Sequence, residues 1–175
     1  MRTDKEIANI LTDMIVLVDS REKKNAHITG YFEKENIKYE VVKLETGDYS
    51  FYLPNYGGLG LDEAIMVERK NSIDEICGNF GKNRERFIRE FERIENGKMH
   101  LVVENTTWTK IFNGNYRSKL SCNSLLASFI TFNIRYDCPV WFVEKLHSGK
   151  IIHSILYYEL REQLQTYWQE VICVI

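Results

Sequence analysis

Charged side chains with the chemistry of a hydrolytic metal site stand where short apolar runs end or a turn begins. Asp19 follows one apolar run, Asp48 lies in a Gly-Asp turn, and Glu68 ends another run with Lys70 two residues on. A carboxylate and an ammonium group beside a second carboxylate can hold a divalent cation such as Mg²⁺, which prefers hard oxygen ligands. The lysine can then orient an attacking water, so these residue types indicate hydrolysis of a phosphoester.

The predicted position of the triplet Glu68-Arg69-Lys70 at the end of a strand indicates which of its side chains lie on the same side. Residues two apart in a strand point to the same side, so we expect Glu68 and Lys70 to project together and Arg69 to project to the other side. An acidic residue two positions before a lysine is also common at solvated strand ends. Taken alone, the triplet is therefore more typical of a solvated surface than of a metal site. The presence of Asp48 favours the metal site only slightly.

Basic residues elsewhere are candidates for contacts with a phosphate backbone. The stretch 105–136 contains no Asp or Glu, and it carries Arg117 and Lys119 next to Tyr116 and Ser118. Arg, Lys, Ser and Tyr are common phosphate donors, although a polar surface loop explains the same residues. Arg86 is a further candidate for binding DNA. Because Arg and Glu alternate around it, a solvated face of ion pairs is the alternative.

The elements that must position these residues alternate between apolar runs and helical patterns, which predicts an α/β domain. Asp74 is placed where an N-cap could begin a short helix. In the helix predicted from residue 123, Leu125, Leu126, Phe129 and Ile130 are expected to face the core. Strands are predicted over 14–18, 39–44, 49–53, 64–68, 99–104 and 140–143, helices over 26–36, 83–95, 123–134 and 151–168, and a loop over 54–58.

Length and composition are those of one ordinary globular domain spanning residues 1–175. Hydrophobic residues make up 44% of the chain and charged residues 27%, and no apolar run reaches the roughly 18 residues that a membrane span needs. The net charge of −2 lacks the overall basic character typical of nucleic-acid binders. The four cysteines have no zinc-site spacing, and no phosphate-binding glycine loop is present. We expect a cytoplasmic protein without a membrane partner or an organic cofactor.

Four motifs, in order, resemble the nuclease domain of the XPF family. That family carries a V-D-x-R-E segment followed by G-D-(x)n-E-R-K-x-x-x-D. The resemblance covers roughly residues 14–104 in detail and the remainder more loosely. The matching segments are Val18-Asp19-Ser20-Arg21-Glu22, Gly47-Asp48-Tyr49, Val67-Glu68-Arg69-Lys70 and Asp74.

The resemblance implies a restriction-endonuclease-like fold, in which helices flank a central mixed β-sheet, and a site that uses Mg²⁺ or Mn²⁺. It implies that Asp48 and Glu68 are metal ligands, that Asp19 lies at the same metal centre, and that Lys70 positions the water. Arg69 and Arg21 would contact phosphate or brace the carboxylates. Glu22 and Asp74 would be supporting residues.

The resemblance also implies the reaction, a metal-dependent cleavage of DNA in repair or recombination. The expected substrate is branched, flap or junction DNA, and a homodimer is possible. The alternative is a non-catalytic DNA-binding or scaffold module of the same fold. XPF-family proteins often continue into helix-hairpin-helix modules, whereas this sequence ends at Ile175. It therefore looks more like the compact members of the superfamily found in phages and prophages.

Overall fold

The strands form one mixed sheet in the order β2-β1-β3-β4-β5-β6. The structure, a computed structural model, describes residues 3–54, 65–94 and 97–173. The strands are β1 (Ile15–Asp19), β2 (Tyr39–Val42), β3 (Tyr49–Tyr52), β4 (Ile65–Lys70), β5 (Lys98–Glu104) and β6 (Val140–Val143). The helices are α1 (Asp4–Leu11), α2 (Ala26–Lys34), α3 (Ile73–Phe80), α4 (Arg84–Glu92), α5 (Trp108–Phe112), α6 (Cys122–Tyr136) and α7 (Ser148–Cys173).

Strand β3 runs against both of its neighbours, and this reversal decides where charged residues meet. Strand β1 pairs antiparallel with β3, β3 pairs antiparallel with β4, and the β1–β2, β4–β5 and β5–β6 pairs are parallel. The ends of β1 and β4 therefore lie at the same edge of the sheet as the beginning of β3. Asp19 ends β1, Lys70 ends β4, and Asp48 immediately precedes β3. One sheet edge thus collects residues that are far apart in the sequence.

Two apolar cores cover the two faces of the sheet. Helices α1, α2 and α7 cover one face, where buried residues such as Val16, Phe51 and Leu156 pack together. Helices α3, α4 and α6 cover the other face. Its core is dominated by aromatic rings in contact with one another, including Phe80, Phe87 and Phe132. Burial of both sheet faces explains why apolar residues stand at consecutive positions in β1, in the first half of β4 and in the middle of β5.

The predicted α/β architecture with a mixed central sheet and flanking helices is confirmed, while several element boundaries differ. Strand β4 continues through Lys70 instead of ending at Glu68, because it stays paired with β5 up to the Lys70–Val103 register. The prediction that Asp74 caps α3 is wrong. The cap is Ser72, whose side chain accepts a hydrogen bond from the Glu75 amide. The predicted loop 54–58 beyond Pro54, and the predicted element ends at residues 64 and 95, lie outside the described residues.

The core-facing side of α6 is also partly different from the prediction. Leu125 and Phe129 are buried as expected, but Ile130 is 49% exposed and Leu126 is only partly buried. Phe132 is buried instead, because the helix turns this side toward the aromatic core of α3 and α4. Helix α1 was not predicted, although Thr3 and Glu6 form a complete capping box at its start. None of the helices in the described ranges is long and apolar enough to cross a membrane.

Candidate active site

A polar cleft of about 280 Å³ opens at the sheet edge where β1 and β4 end and β3 begins. Its walls come from these strands, from the segment before β3, and from α4. Among the described residues, six acidic and four basic side chains line it, so the acids are in excess by two. The acids are Asp19, Glu22, Glu45, Asp48, Glu68 and Glu90, and the bases are Arg21, Lys70, Arg86 and Arg93.

Main-chain hydrogen bonds hold Asp48 between β1 and β4. Its carbonyl accepts from the Asp19 amide at 2.8 Å, and its amide donates to the Val67 carbonyl at 2.9 Å. Its carboxylate oxygen Oδ2 accepts from the Arg69 amide at 2.8 Å. The preceding Gly47 has φ of +75°, and a Cβ there would lie 3.1 Å from the Met66 Cβ. A glycine is therefore required where the chain brings Asp48 into the cleft.

Glu68 and Lys70 project together into the cleft, as expected from the alternation of side chains along a strand. The Lys70 ammonium donates a hydrogen bond to Glu68 Oε1, and both side chains are about nine-tenths buried. The Lys70 ammonium also lies over the ring of Phe87, 5.4 Å from the ring centre. Because Phe87 belongs to α4, the packing of that helix on β4 fixes the lysine against the carboxylate.

The electrostatics of the cleft favour an added positive charge. Burial raises the pKa of the Asp48 carboxyl well above its ordinary value, and the negative charge of Glu68 raises it further. Burial also raises the pKa of Glu68, although Lys70 opposes the shift. Burial alone would lower the pKa of Lys70, but the charge and hydrogen bond of Glu68 outweigh it and keep the pKa raised. The lysine thus remains a cation, and it does not fully offset the two carboxylates.

The donor set at Asp48 and Glu68 fits a hard divalent cation. Mg²⁺ in proteins is commonly held by one or two carboxylates, with waters and substrate phosphate in its other positions. Across the described ranges, no three His, Cys, Asp or Glu side chains form a complete metal-binding group. Asp48 and Glu68 would therefore hold such an ion as a pair, and a bound cation would favour the ionised form of both carboxyls, which burial disfavours.

Asp19, expected at the same centre, lines the same cleft, and its carboxylate is held by Arg21. The arginine donates to both carboxylate oxygens, with Nε 2.8 Å and Nη2 2.5 Å from Oδ2 and the main-chain amide 2.9 Å from Oδ1. Burial alone would raise the pKa of Asp19, but these hydrogen bonds outweigh it and hold the pKa below its ordinary value. The Arg21 side chain remains 60% exposed, so it both braces Asp19 and borders the open side of the cleft.

The Arg69 side chain lies on the face of β4 opposite Glu68 and Lys70, where it braces the buried Glu104 and also Glu22, which lines the cleft. The Arg69 side chain is 3% exposed, with Nη1 2.8 Å from Glu104 Oε2 and Nη2 3.1 Å from Glu22 Oε1. The guanidinium is not among the groups that line the cleft, and its contacts fit the expectation that Arg69 braces carboxylates better than a contact with phosphate. His27 completes the group, because its Nε2 lies 2.7 Å from Glu104 Oε1.

The remaining predicted site residues differ in where they lie. Arg86 borders the cleft, is 79% exposed and pairs with Glu90 at 3.5 Å. Asp74 does not line the cleft, and its Oδ1 accepts a hydrogen bond from the Arg117 amide at 2.7 Å. Arg117 and Lys119 are exposed on the segment between α5 and α6 and do not line the cleft either.

Several residues of the site were not anticipated from the sequence. Glu104 ends an apolar strand just as Asp19 does, so a signal for it was present. His27 carried no signal, because its partner Glu104 lies 77 residues away. Glu90 and Arg93 reach the cleft only through the packing of α4 against the sheet, which the helical pattern alone does not show.

The sheet topology, together with carboxylates and a lysine gathered at one sheet edge, defines a domain of the restriction-endonuclease-like class. The sequence matches the ERCC4 domain over residues 18–155. The chain therefore belongs to the ERCC4 domain family, and the predicted identification as an XPF-family nuclease domain is confirmed.

Solved structures share this fold at low sequence identity. XPF from Aeropyrum pernix superimposes with a TM-score of 0.61 at 21% identity, covering 83% of this chain and 61% of that chain. XPF from Aeropyrum pernix in complex with DNA gives a TM-score of 0.62 at 19% identity, covering 85% and 66%. This chain thus spans about three fifths to two thirds of the structures that it matches. No curated protein sequence matches it.

Proposed function

We propose that the protein is a metal-dependent DNA endonuclease that hydrolyses phosphodiester bonds. The observation that carries the proposal is the placement of Asp48, Glu68 and Lys70 together in an acidic cleft at the sheet edge. Membership of the ERCC4 domain family supports nuclease chemistry, and the related structure in complex with DNA supports DNA as the substrate.

Each group in the cleft has a distinct task in this proposal. Asp48 and Glu68 hold Mg²⁺ or Mn²⁺, which when bound offsets negative charge on the scissile phosphate and lowers the pKa of water. Lys70 donates a hydrogen bond that orients the attacking water, and its raised pKa keeps it a cation. Arg21, exposed at the mouth of the cleft, is available to clamp a phosphate while it braces Asp19.

Branched, flap or junction DNA is the proposed substrate class. A cleft bordered by the exposed arginines Arg21, Arg86 and Arg93 lies at the open edge of the sheet, where a phosphate backbone can approach without deep insertion. Arg117 and Lys119, exposed but away from the cleft, are proposed as contacts for a more distant part of the DNA. A homodimer would present two such clefts to one branched substrate.

The test is a cleavage panel on end-labelled duplex, flap, fork and junction DNA with Mg²⁺, Mn²⁺ or a chelator. Cleavage is expected with either cation and not with the chelator. Glu68→Gln and Lys70→Met should each lower the rate by at least about 100-fold, the size typical for removing a key electrostatic group. Lys98→Met is the matched control, since Lys98 also pairs with a glutamate, Glu159 at 3.1 Å, but outside this cleft.

Two outcomes would contradict the proposal. Cleavage that persists in both Glu68→Gln and Lys70→Met would show that this cleft is not the site. Tight binding of branched DNA without cleavage under either cation would instead identify a non-catalytic DNA-binding module of the same fold.

A further inference from the structure

A buried polar network lies behind the cleft, on the face of β4 opposite Glu68 and Lys70. Arg69 is its centre and Glu104 its most buried member, with 0% of the glutamate exposed. The network links four separate parts of the chain: the segment after β1 through Glu22, the first turn of α2 through His27, and the ends of β4 and β5. Charges taken out of water destabilise a protein unless they are paired and hydrogen-bonded.

The ionised state of Glu104 defines the direction of the hydrogen bonds that it makes with His27 and Arg69. Burial alone would raise the pKa of Glu104, but hydrogen bonds and positive charge around it, from His27 and Arg69 among others, outweigh burial and hold the pKa below its ordinary value. Glu104 is therefore an ionised carboxylate that only accepts hydrogen bonds. It follows that His27 Nε2 carries the hydrogen in the 2.7 Å contact with Oε1, while Arg69 Nη1 donates to Oε2.

Arg69 connects this network to the cleft through its own main chain. Its side chain is fixed by Glu104, Glu22 and the Lys24 carbonyl, and its amide donates to Asp48 Oδ2 at 2.8 Å. The neighbouring residues Glu68 and Lys70 face the cleft. A shift of the guanidinium would therefore be passed to the segment of β4 that presents Glu68 and Lys70 and that donates the hydrogen bond to Asp48.

We infer that His27 and Glu104 are positioning residues of the cleft, acting through Arg69 on Asp48, Glu68 and Lys70. His27 holds Glu104 in one orientation, Glu104 holds the Arg69 guanidinium, and the Arg69 amide holds the Asp48 carboxylate. Neither His27 nor Glu104 lines the cleft. The inference rests on the proposed nuclease function for its kinetic consequences, while its structural consequence is independent of activity.

A second histidine–glutamate pair supplies a matched control. Its histidine, His100, lies on β5 as Glu104 does, and His100 Nε2 is 2.7 Å from Glu159 Oε1, the same distance as between His27 and Glu104. This second histidine–glutamate pair lies toward the start of β5 and borders neither Arg69 nor the cleft. Replacing either histidine removes one partly buried histidine–glutamate pair that joins β5 to a helix, and replacing His100 also removes the hydrogen bond that it accepts from Trp141 Nε1. Only the loss of His27 should affect the groups at the cleft.

The first experiment measures amide hydrogen exchange by NMR in the metal-free protein, comparing wild type, His27→Ala, His27→Gln and His100→Ala. The Arg69 amide should exchange at least about tenfold faster in His27→Ala, relative to the Leu101 amide that bonds the Pro139 carbonyl. His27→Gln should restore the protection, because the glutamine amide nitrogen can donate to Glu104. Equal acceleration of Arg69 and Leu101, or none, would overturn the inference, since it would indicate a global effect or no coupling.

The second experiment is steady-state cleavage of a DNA substrate by the same variants. His27→Ala should lower kcat by about tenfold with KM for DNA unchanged, in the range seen when partners behind metal ligands are removed. His27→Gln should recover most of the rate, and His100→Ala should cleave like wild type. An unchanged kcat in a folded His27→Ala protein would contradict the inference. If the wild type cleaves no DNA, the proposed function fails, and the exchange experiment still decides the positioning role.

Discussion

Replacing Asp48 with asparagine should stabilise the metal-free protein while removing its response to divalent cations. The asparagine carbonyl oxygen can still accept the hydrogen bond from the Arg69 amide, so the local geometry is kept. The substitution removes the negative charge that Asp48 carries beside Glu68 once its carboxyl is deprotonated. Because burial and Glu68 raise the pKa of Asp48, the folded wild-type protein retains a proton at Asp48 that the unfolded chain releases at lower pH.

The size of the effect follows from proton linkage. A carboxyl with a raised pKa contributes stability that is fully present below its unfolded pKa, about 3.9 for aspartate. That stability is lost as the pH rises through the folded-state pKa. In this window one proton difference changes the free energy of unfolding by about 1.4 kcal/mol per pH unit. The Asp48→Asn protein has no carboxyl at this position and keeps its free energy of unfolding across the window. The difference in free energy of unfolding between Asp48→Asn and wild type should therefore grow by about 1.4 kcal/mol per pH unit.

The assay is urea unfolding with a chelator present, repeated at intervals from about pH 4 upward. Adding Mg²⁺ at about 100 times its dissociation constant should stabilise wild type by about 2.7 kcal/mol and leave Asp48→Asn unchanged. Asp13→Asn is the control, because the Asp13 carboxylate is 48% exposed in a surface ion pair with Lys38 and such pairs contribute little. Parallel pH profiles for wild type and Asp48→Asn, or equal stabilisation of both by Mg²⁺, would refute the reasoning.

Three further substitutions test the elements that surround the cleft. Gly47→Ala, at φ +75° with the new Cβ 3.1 Å from the Met66 Cβ, should lower the free energy of unfolding by about 1–2 kcal/mol in urea; an unchanged value would remove the argument for a required glycine. Phe80→Ala should lower the free energy of unfolding by about 3–5 kcal/mol, because the Phe80 ring is 3% exposed and contacts three other aromatic rings. A loss under 1 kcal/mol would show that the aromatic core relaxes around the cavity. Arg93→Ala should reduce the slope of log affinity for DNA against log salt by about one unit if this side chain neutralises a phosphate; an equal slope would place the DNA elsewhere.

The sequence could predict those site residues that stand at the end of a predicted strand or in a predicted turn. Asp19 and Glu68 follow or end short apolar runs, which are typical of buried strands, and Asp48 follows a glycine that marks a turn. Their meeting at one edge follows from the reversed direction of β3, which the spacing of the runs does not specify. The family resemblance supplied that missing information.

The parts that could not be predicted depend on packing between distant segments. His27 and Glu104 meet only because α2 packs over the face of the sheet that β5 presents. Ser72 takes the capping position two residues before Asp74, and the Asp74 carboxylate instead accepts a hydrogen bond from the Arg117 amide, 43 residues away. Helix α1 was not predicted although its capping box is visible in the sequence, and its apolar face is buried through contact with the distant helix α7.

The hydrogen bond from the Arg69 amide to Asp48 has a consequence for how this site tolerates change. Its donor is a main-chain N–H, which every residue type except proline supplies. Position 69 therefore carries two linked duties. Its guanidinium neutralises Glu22 and Glu104, and its backbone N–H orients the Asp48 carboxylate. A proline at this position would remove the hydrogen bond to Asp48 in one step, whereas a shorter side chain would keep the N–H and lose the anchor that holds it in place.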